Sequence, residues 1–338
     1  ADFDGDGDID LFRGGRLVPL HYPLPASSSL LENNGGKFVD VTNTKAPEFE
    51  KIGMITSAVW ADFNNDKKPD LVLAGEFTSP LFFKNENGKF VNVTASTGIA
   101  NYVGWWNCIK AADVDGDGDT DFIAGNLGLN GRYKVSEKEP LTLYAEDFNH
   151  DGTIDPVMTY YLQGEEHFVA MRDQFIEQMR GAYAMFPTYK KFAEAKVHDV
   201  FSPEAFKNAL TLKVTTFESC IIENLGNGKF SIKPLPAEAQ FAPVMDILVE
   251  DINNDKHPDL ILVGNDYSTE VIAGRYNAFT GLVLSGDGKG NFKPITQQQS
   301  GFFADGDARS IASLNTAKGK IILVSQHNAG IKVFMNSK

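Results

Sequence analysis

Cysteine is nearly missing from this chain of 338 residues: only Cys108 and Cys220 occur. So few cannot build a disulfide framework. Free cysteine is commonly buried, so two buried thiols in strands are expected, with one disulfide between repeats as the alternative. Long apolar runs are also missing, and with no stretch of 18 apolar residues no helix of the chain spans a bilayer. Histidine is scarce, with six copies, and His167, His198 and His257 lie far apart. No GxSxG, HExxH or Cys/His constellation accompanies them. Basic charge is outnumbered, 31 Lys and Arg against 45 Asp and Glu, for a net charge of −14. That balance argues against nucleic acid and anionic membrane partners.

What the chain has instead is acid at fixed spacing. Asp113, Asp115, Asp117 and Asp121 lie in DVDGDGDTD. They take positions 1, 3, 5 and 9 of a loop whose oxygens converge on a hard cation, with Asp119 at position 7 giving its backbone carbonyl. Without a cation, carboxylates this close repel one another. The same template fits Asp2, Asp4, Asp6 and Asp10; Asp62, Asn64, Asp66 and Asp70; Asp147, Asn149, Asp151 and Asp155; and Asp251, Asn253, Asp255 and Asp259. Their position-7 residues are Asp8, Lys68, Thr153 and His257. Five loops predict up to five Ca²⁺, which would bring the charge to −14 + 10 = −4. An EF-hand needs a bidentate Glu at position 12; here stand Arg13, Leu73, Ala124, Met158 and Leu262, so that reading fails.

Short apolar runs flank the loops. ITSAVWADF, NCIKAADV and MDILVEDI precede them, and DLVLAG, DFIAGN and DLILVGN follow. These read as buried strands joined by a metal-pinned turn. Hairpins follow at LLENNGGKFVDVT, LFFKNENGKFVNVT, IIENLGNGKFSIKPL and LVLSGDGKGNFKPIT. A four-stranded unit of about 50 residues is the mark of a β-propeller blade.

The expected fold is therefore all-β. A single propeller spans 1–338, with six visible four-stranded antiparallel blades and room for a seventh ahead of the first loop or within 122–165. From 167 to 210 the apolar spacing is helical, which predicts an α-helical insertion in blade four, with Ser202-Pro203-Glu204 opening one helix. Blade four then resumes at 212–230. A sixth blade at 301–338 keeps Asp305 and Asp307 of a decayed loop. The chain opens inside the first motif, as expected of a fragment or a processed chain.

These loops and hairpins resemble FG-GAP or VCBS repeats, the blades of integrin α-chain propellers and of many bacterial exported proteins. The resemblance implies that the loop carboxylates above hold Ca²⁺. Lys67 and Lys256 depart from the pattern by replacing the glycine after the third ligand, which predicts weaker, distorted or empty sites. Weak calcium sites suit millimolar Ca²⁺, so an extracytoplasmic location is expected, whether secreted, periplasmic or attached to the cell surface.

Ligand residues are less marked. Arg132 and Tyr133 in GNLGLNGRYK, and Arg275 and Tyr276 in GNDYSTEVIAGRYNAFTG, could face an acidic or sugar ligand or stitch loops together. Of the neighbours Trp105 and Trp106, one must face the core and the other could stack on sugar. Three functions follow. The first is a non-enzymatic calcium-stabilised module binding a glycan or a protein. The second is a polysaccharide lyase or hydrolase, since some propellers resembling this one cleave polysaccharides. The third is an assembly module for an activity carried elsewhere.

Overall fold

The computed structural model describes residues 1–271, 273–317 and 319–335. They form six antiparallel sheets. The first holds Leu11–Arg13, Ser29–Asn34 and Lys37–Asp40; the second holds Met54–Ala61, Asp70–Thr78, Leu81–Asn85 and Phe90–Asn92. The third joins Cys108–Ala112 and Asp121–Gly125 to Cys220–Asn224 and Phe230–Pro234. Between its halves lies a complete fourth sheet, Leu141–Glu146, Asp155–Leu162, Glu165–Phe168 and Leu210–Val214. The fifth holds Val244–Glu250, Asp259–Gly264, Leu282–Gly286 and Phe292–Ile295; the sixth holds Ala308–Thr316, Gly319–Gln326 and Lys332–Met335.

Strand periodicity explains how the sheets stack. Successive side chains of a strand point to opposite faces, so a strand covered on both faces reads as an unbroken apolar run. In DLVLAG, Leu71 and Leu73 pack with Leu30 and Phe49 toward the first sheet. Val72 and Ala74 pack with Phe122 and Ile222 of the third. In DLILVG, Leu260 and Leu262 meet Ile123 and Ile221 of the third sheet, whereas Ile261 and Val263 meet Ile311 and Val324 of the sixth. Sheets one, two, three, five and six therefore stack face to face in that order. The fourth stands off this stack and packs at one end of it, where Leu141, Leu143 and Val214 bury Met54 and Phe77. Each such buried side chain contributes roughly 1.5–3 kcal/mol over exposure.

Several expectations need correction. The hairpin at 220–234 does not continue blade four, because Ile222 pairs with Phe122 and so completes the third sheet; only Leu210–Val214 returns to the fourth. The segment after His167 begins with strand Glu165–Phe168, and its helices are short: Arg172–Gln178, Tyr189–Ala193 and Val197–Val200. Ser202 opens no helix. The amides of Ala205 and Lys207 reach back three residues, to Ser202 and Glu204, as isolated turns while Phe206 packs on Phe148 and Phe201. Asp305 and Asp307 do not converge as a loop: Asp305 pairs with Lys332, and Asp307 with Arg309 and His327. Cys108 and Cys220 are buried free thiols on either side of Asp121–Gly125.

Candidate metal loops and an interior cavity

The Asp62, Asp113, Asp147 and Asp251 loops join the first and second strands of a sheet, the Asp2 loop precedes the first described strand of its sheet, and all five are built by the same hydrogen bonds. The carboxylate at position 1 accepts the amide of position 6: Gly7 to Asp2 at 3.0 Å, Lys67 to Asp62 at 2.6 Å, Gly118 to Asp113 at 3.1 Å, Gly152 to Asp147 at 2.8 Å and Lys256 to Asp251 at 2.9 Å. The carboxylate at position 5 accepts the amide of position 7, from Asp6 with Asp8 to Asp255 with His257. Position 6 is left-handed in all five loops, including Lys67 at φ 67° and Lys256 at φ 72°. Lysine is thus held where glycine is at ease, but the loop geometry is kept. Lys67→Gly and Lys256→Gly are each expected to stabilise the chain by about 0.5–1 kcal/mol, relief of left-handed strain less the added entropy of glycine. Urea midpoints would show it, and a fall would contradict it.

Position 9 is the buried anchor. Asp121, fully buried, accepts the amides of Val114 at 3.0 Å and Asn224 at 2.8 Å. Asp10, Asp70 and Asp259 repeat this with Asn33 of strand Ser29–Asn34 and with Asn85 and Gly286 of the third strands of their sheets. Burial raises the Asp70 carboxyl to about 7 and Asp121 to about 6, and pushes Asp115 and Asp155 upward. A divalent cation favours the ionised forms and reverses such shifts.

The donor set fits a hard cation. One carboxylate oxygen each from Asp2, Asp4 and Asp10 lies within 4.8 Å of the others, as do those of Asp113, Asp115 and Asp117. In the other loops Asn64, Asn149 and Asn253 supply an amide oxygen that already accepts the position-5 amide. The Asp147 loop differs from the rest. Asp155 meets Gln178 of helix Arg172–Gln178 at 3.5 Å, and its Oδ2 is buried without a hydrogen-bond partner. At position 7 the side chains have their own partners. Asp8 accepts from Gly35, Lys68 donates to Asn87, Asp119 accepts from Asn65 and Thr153 donates to Asp151. The His257 ring lies where a Cβ on Gly288 would come within 2.1 Å of its Nδ1.

The sequence reading missed the hairpin asparagines. Buried Asn85 donates its side-chain amide to Phe3 O at 2.7 Å in the Asp2 loop and to Pro69 O at 3.1 Å in its own. Buried Asn224 does the same to Phe63 O at 2.9 Å and Thr120 O at 3.1 Å. One side chain thus staples consecutive loops together. Recurrence of this Asn two or three residues ahead of the turn glycine was the available signal. Asn224→Ala strands two buried carbonyls and is expected to cost about 2–4 kcal/mol, read as a fall in the urea midpoint. A cost below about 0.5 kcal/mol would contradict the staple.

The other feature is a cavity of about 400 Å³ at the opposite strand ends, reached from the Asp62 loop by six residues of strand, about 20 Å. Every sheet of the stack contributes to its wall, and the charged and aromatic members are Arg16, Glu76, Trp105, Asp266, Tyr276 and Arg309. Arg16 pairs with Glu76, and Arg309 pairs with Asp266 and Asp307 at 2.8 Å. Trp105 pairs in register with Glu76, on the second sheet rather than at the start of the third. Its ring lies against Phe77 and Phe217, and its indole N–H is buried without an acceptor. Trp106 is the core member of the pair and donates to Thr78 O at 2.9 Å.

Of the expected ligand residues, Trp105 and Tyr276 meet at this cavity. Arg132 stacks over Tyr133 at 5.2 Å, which meets Tyr160, and it opposes the upward shift that burial gives both Tyr133 and Tyr276. Arg275 stacks on Tyr267 at 5.1 Å, outside the cavity wall. The GN pairs before both loops are structural. Asn126 accepts from Trp105 and Leu127, and Asn265 binds Phe279 and Gly306. Arg16, Glu76, Asp266 and Arg309 were not foreseen.

The FG-GAP-like repeat family matches 2–73 and 62–124. Residues 2–124 are FG-GAP-like repeats. The Asp147 and Asp251 loops lie beyond the matched residues but share the FG-GAP loop's position-1 and position-5 hydrogen bonds. No curated protein matches the chain. Among solved structures, the V. cholerae biofilm matrix protein Bap1 aligns at 11% identity over 100% of this chain and 68% of its own, with a TM-score of 0.34. The exotype rhamnogalacturonan lyase YesX aligns at 11% identity over 92% of this chain and 64% of its own, with a TM-score of 0.26.

Proposed function

We propose that the chain is a calcium-stabilised, extracytoplasmic β-propeller that binds a glycan or protein partner, with the cavity as its recognition site. The observation that carries this reading is that all five stacked sheets converge on one cavity at the strand ends opposite the acidic loops. Face-to-face stacking of antiparallel sheets, most of them carrying the same acidic loop, is what propeller blades do, and closing them into a ring protects their edges. Up to five Ca²⁺ are held by the loop oxygens, where they offset carboxylate repulsion. Their binding energy adds to folding, because the unfolded chain has no such site. Weak sites of this kind suit millimolar Ca²⁺ outside the cytoplasm.

Binding is favoured over catalysis by the chemistry of the wall. No histidine lines the cavity among the described residues, Glu76 and Asp266 are each committed to an arginine, and burial pushes the Tyr276 phenol up. The test is incubation of the Ca²⁺-loaded chain with a panel of polysaccharides, following retention and chain cleavage in the same samples, alongside Arg16→Ala. Retention without cleavage, lost in the variant, is the expected result. Cleavage overturns the binding reading in favour of a lyase or hydrolase, and silence on both counts moves the weight to a protein partner.

A further inference from the structure

The cavity wall is electrically balanced by construction. Arg16 and Arg309 supply two positive charges, Glu76 and Asp266 supply two negative ones, and each carboxylate already faces a guanidinium. An anionic ligand would have to take an arginine from its carboxylate and leave that carboxylate beside it, so the set is poorly made for uronates or phosphates. It is well made for hydroxyl groups. A guanidinium has five N–H donors and a carboxylate about four acceptor sites, so one ion pair leaves donors and acceptors side by side. A hydroxyl donates and accepts at once, and neighbouring hydroxyls on a ring can engage both partners of such a pair.

Two further observations point the same way. Trp105 and Tyr276 put aromatic surface into the wall. Among the described residues the buried Trp105 indole N–H has no acceptor. An orphan donor of this kind costs stability unless a partner supplies an oxygen. We infer that the cavity takes an uncharged, hydroxyl-rich ligand, a neutral oligosaccharide, with Arg16–Glu76 and Arg309–Asp266 gripping its hydroxyls and the Trp105 N–H donating to one oxygen. This rests on the cavity being the recognition site. It goes beyond that reading in naming which class of glycan enters and which it refuses.

The test uses the full chain loaded with Ca²⁺ and titrates it with cellohexaose, laminarihexaose and mannohexaose, and with hexagalacturonate and hexamannuronate, by calorimetry at low and high salt. At least one neutral sugar is expected to bind with an affinity that salt leaves unchanged, and the uronates to bind at least about tenfold more weakly. Trp105→Phe removes the N–H together with part of the indole and keeps an aromatic ring beside Phe77 and Phe217. It is expected to lower the affinity for the neutral sugar about tenfold while the free protein still melts cooperatively as a folded chain. Arg16→Ala, at an exposed guanidinium, should weaken the same sugar by a similar factor.

Tighter, salt-sensitive binding of a uronate that Arg16→Ala abolishes would overturn the inference and leave the cavity as the recognition site. Sugar binding untouched by both variants would overturn the recognition site as well, and binding of none of the five sugars would overturn the inference.

Discussion

Removing calcium with EDTA is expected to lower the melting temperature by about 10 °C or more, and Ca²⁺ in excess to restore it. An ion that binds only the folded chain stabilises it by about 1.4 kcal/mol when present at ten times its dissociation constant. Five such sites sum to about 7 kcal/mol, a large part of the stability of most folded domains. Structure says where the loss should fall. In the Asp62, Asp113 and Asp251 loops the position-9 carboxylate holds a third-strand amide beside a turn that joins the first two strands, so an ion there would tie three strands of a sheet. Loss should begin with the Asp147 loop, where Asp155 reaches a helix side chain rather than a hairpin amide, and end with the Asp113 loop, whose carboxylates already converge. A melt that EDTA leaves unchanged would show that the loops do not hold the fold.

The second large effect is expected from one side chain. Asp121→Ala should destabilise the chain by about 2–6 kcal/mol, because two buried amides, of Val114 and Asn224, lose their acceptor at about 1–3 kcal/mol each. Loss of the ion at the Asp113 loop would add to this. Asp119→Ala is the control. Asp119 is two residues away in the same loop, yet it is only half-buried and among the described residues its carboxylate accepts from the Asn65 side chain and from no buried backbone amide, so less than about 1 kcal/mol is expected. Equal urea midpoints for the two variants would contradict the anchoring role of position 9.

The contrast between Asp121 and Asp119 also shows what a sequence can and cannot carry. Loop positions are local, so nine residues of spacing are enough to place Asp113 to Asp121 between two strands. Both-face burial is local too, since an unbroken DLVLAG or DLILVG run can only be a covered strand. Pairing over distance is not. The hairpin at 220–234 carries the same Asn/Gly turn and aromatic run as the others, and nothing in it says that its partner is Asp121–Gly125 rather than the nearer strands of the fourth sheet.

The insertion shows a similar limit. Met and Phe at helical spacing did mark short helices, but Ser202-Pro203-Glu204 looks like a helix start whether or not Phe206 is needed in the core of the insertion. The cavity was the least legible feature. Arg16, Glu76, Asp266 and Arg309 are ordinary surface residues in their own segments, and only the stacking of five sheets brings them together. Trp105 and Tyr276 were visible as candidates because aromatic residues beside loops are few. Lys67 and Lys256 show the reverse. Of the weaker, distorted or empty sites that their departure from glycine predicts, distortion is not seen, since the position-1 and position-5 hydrogen bonds persist around them.

The most direct measurement is a calorimetric titration of the metal-free chain with Ca²⁺, alongside Asp121→Ala. Uptake of five ions by the parent chain and four by the variant is the result this account predicts. No saturable uptake, or the same stoichiometry in both, would contradict it.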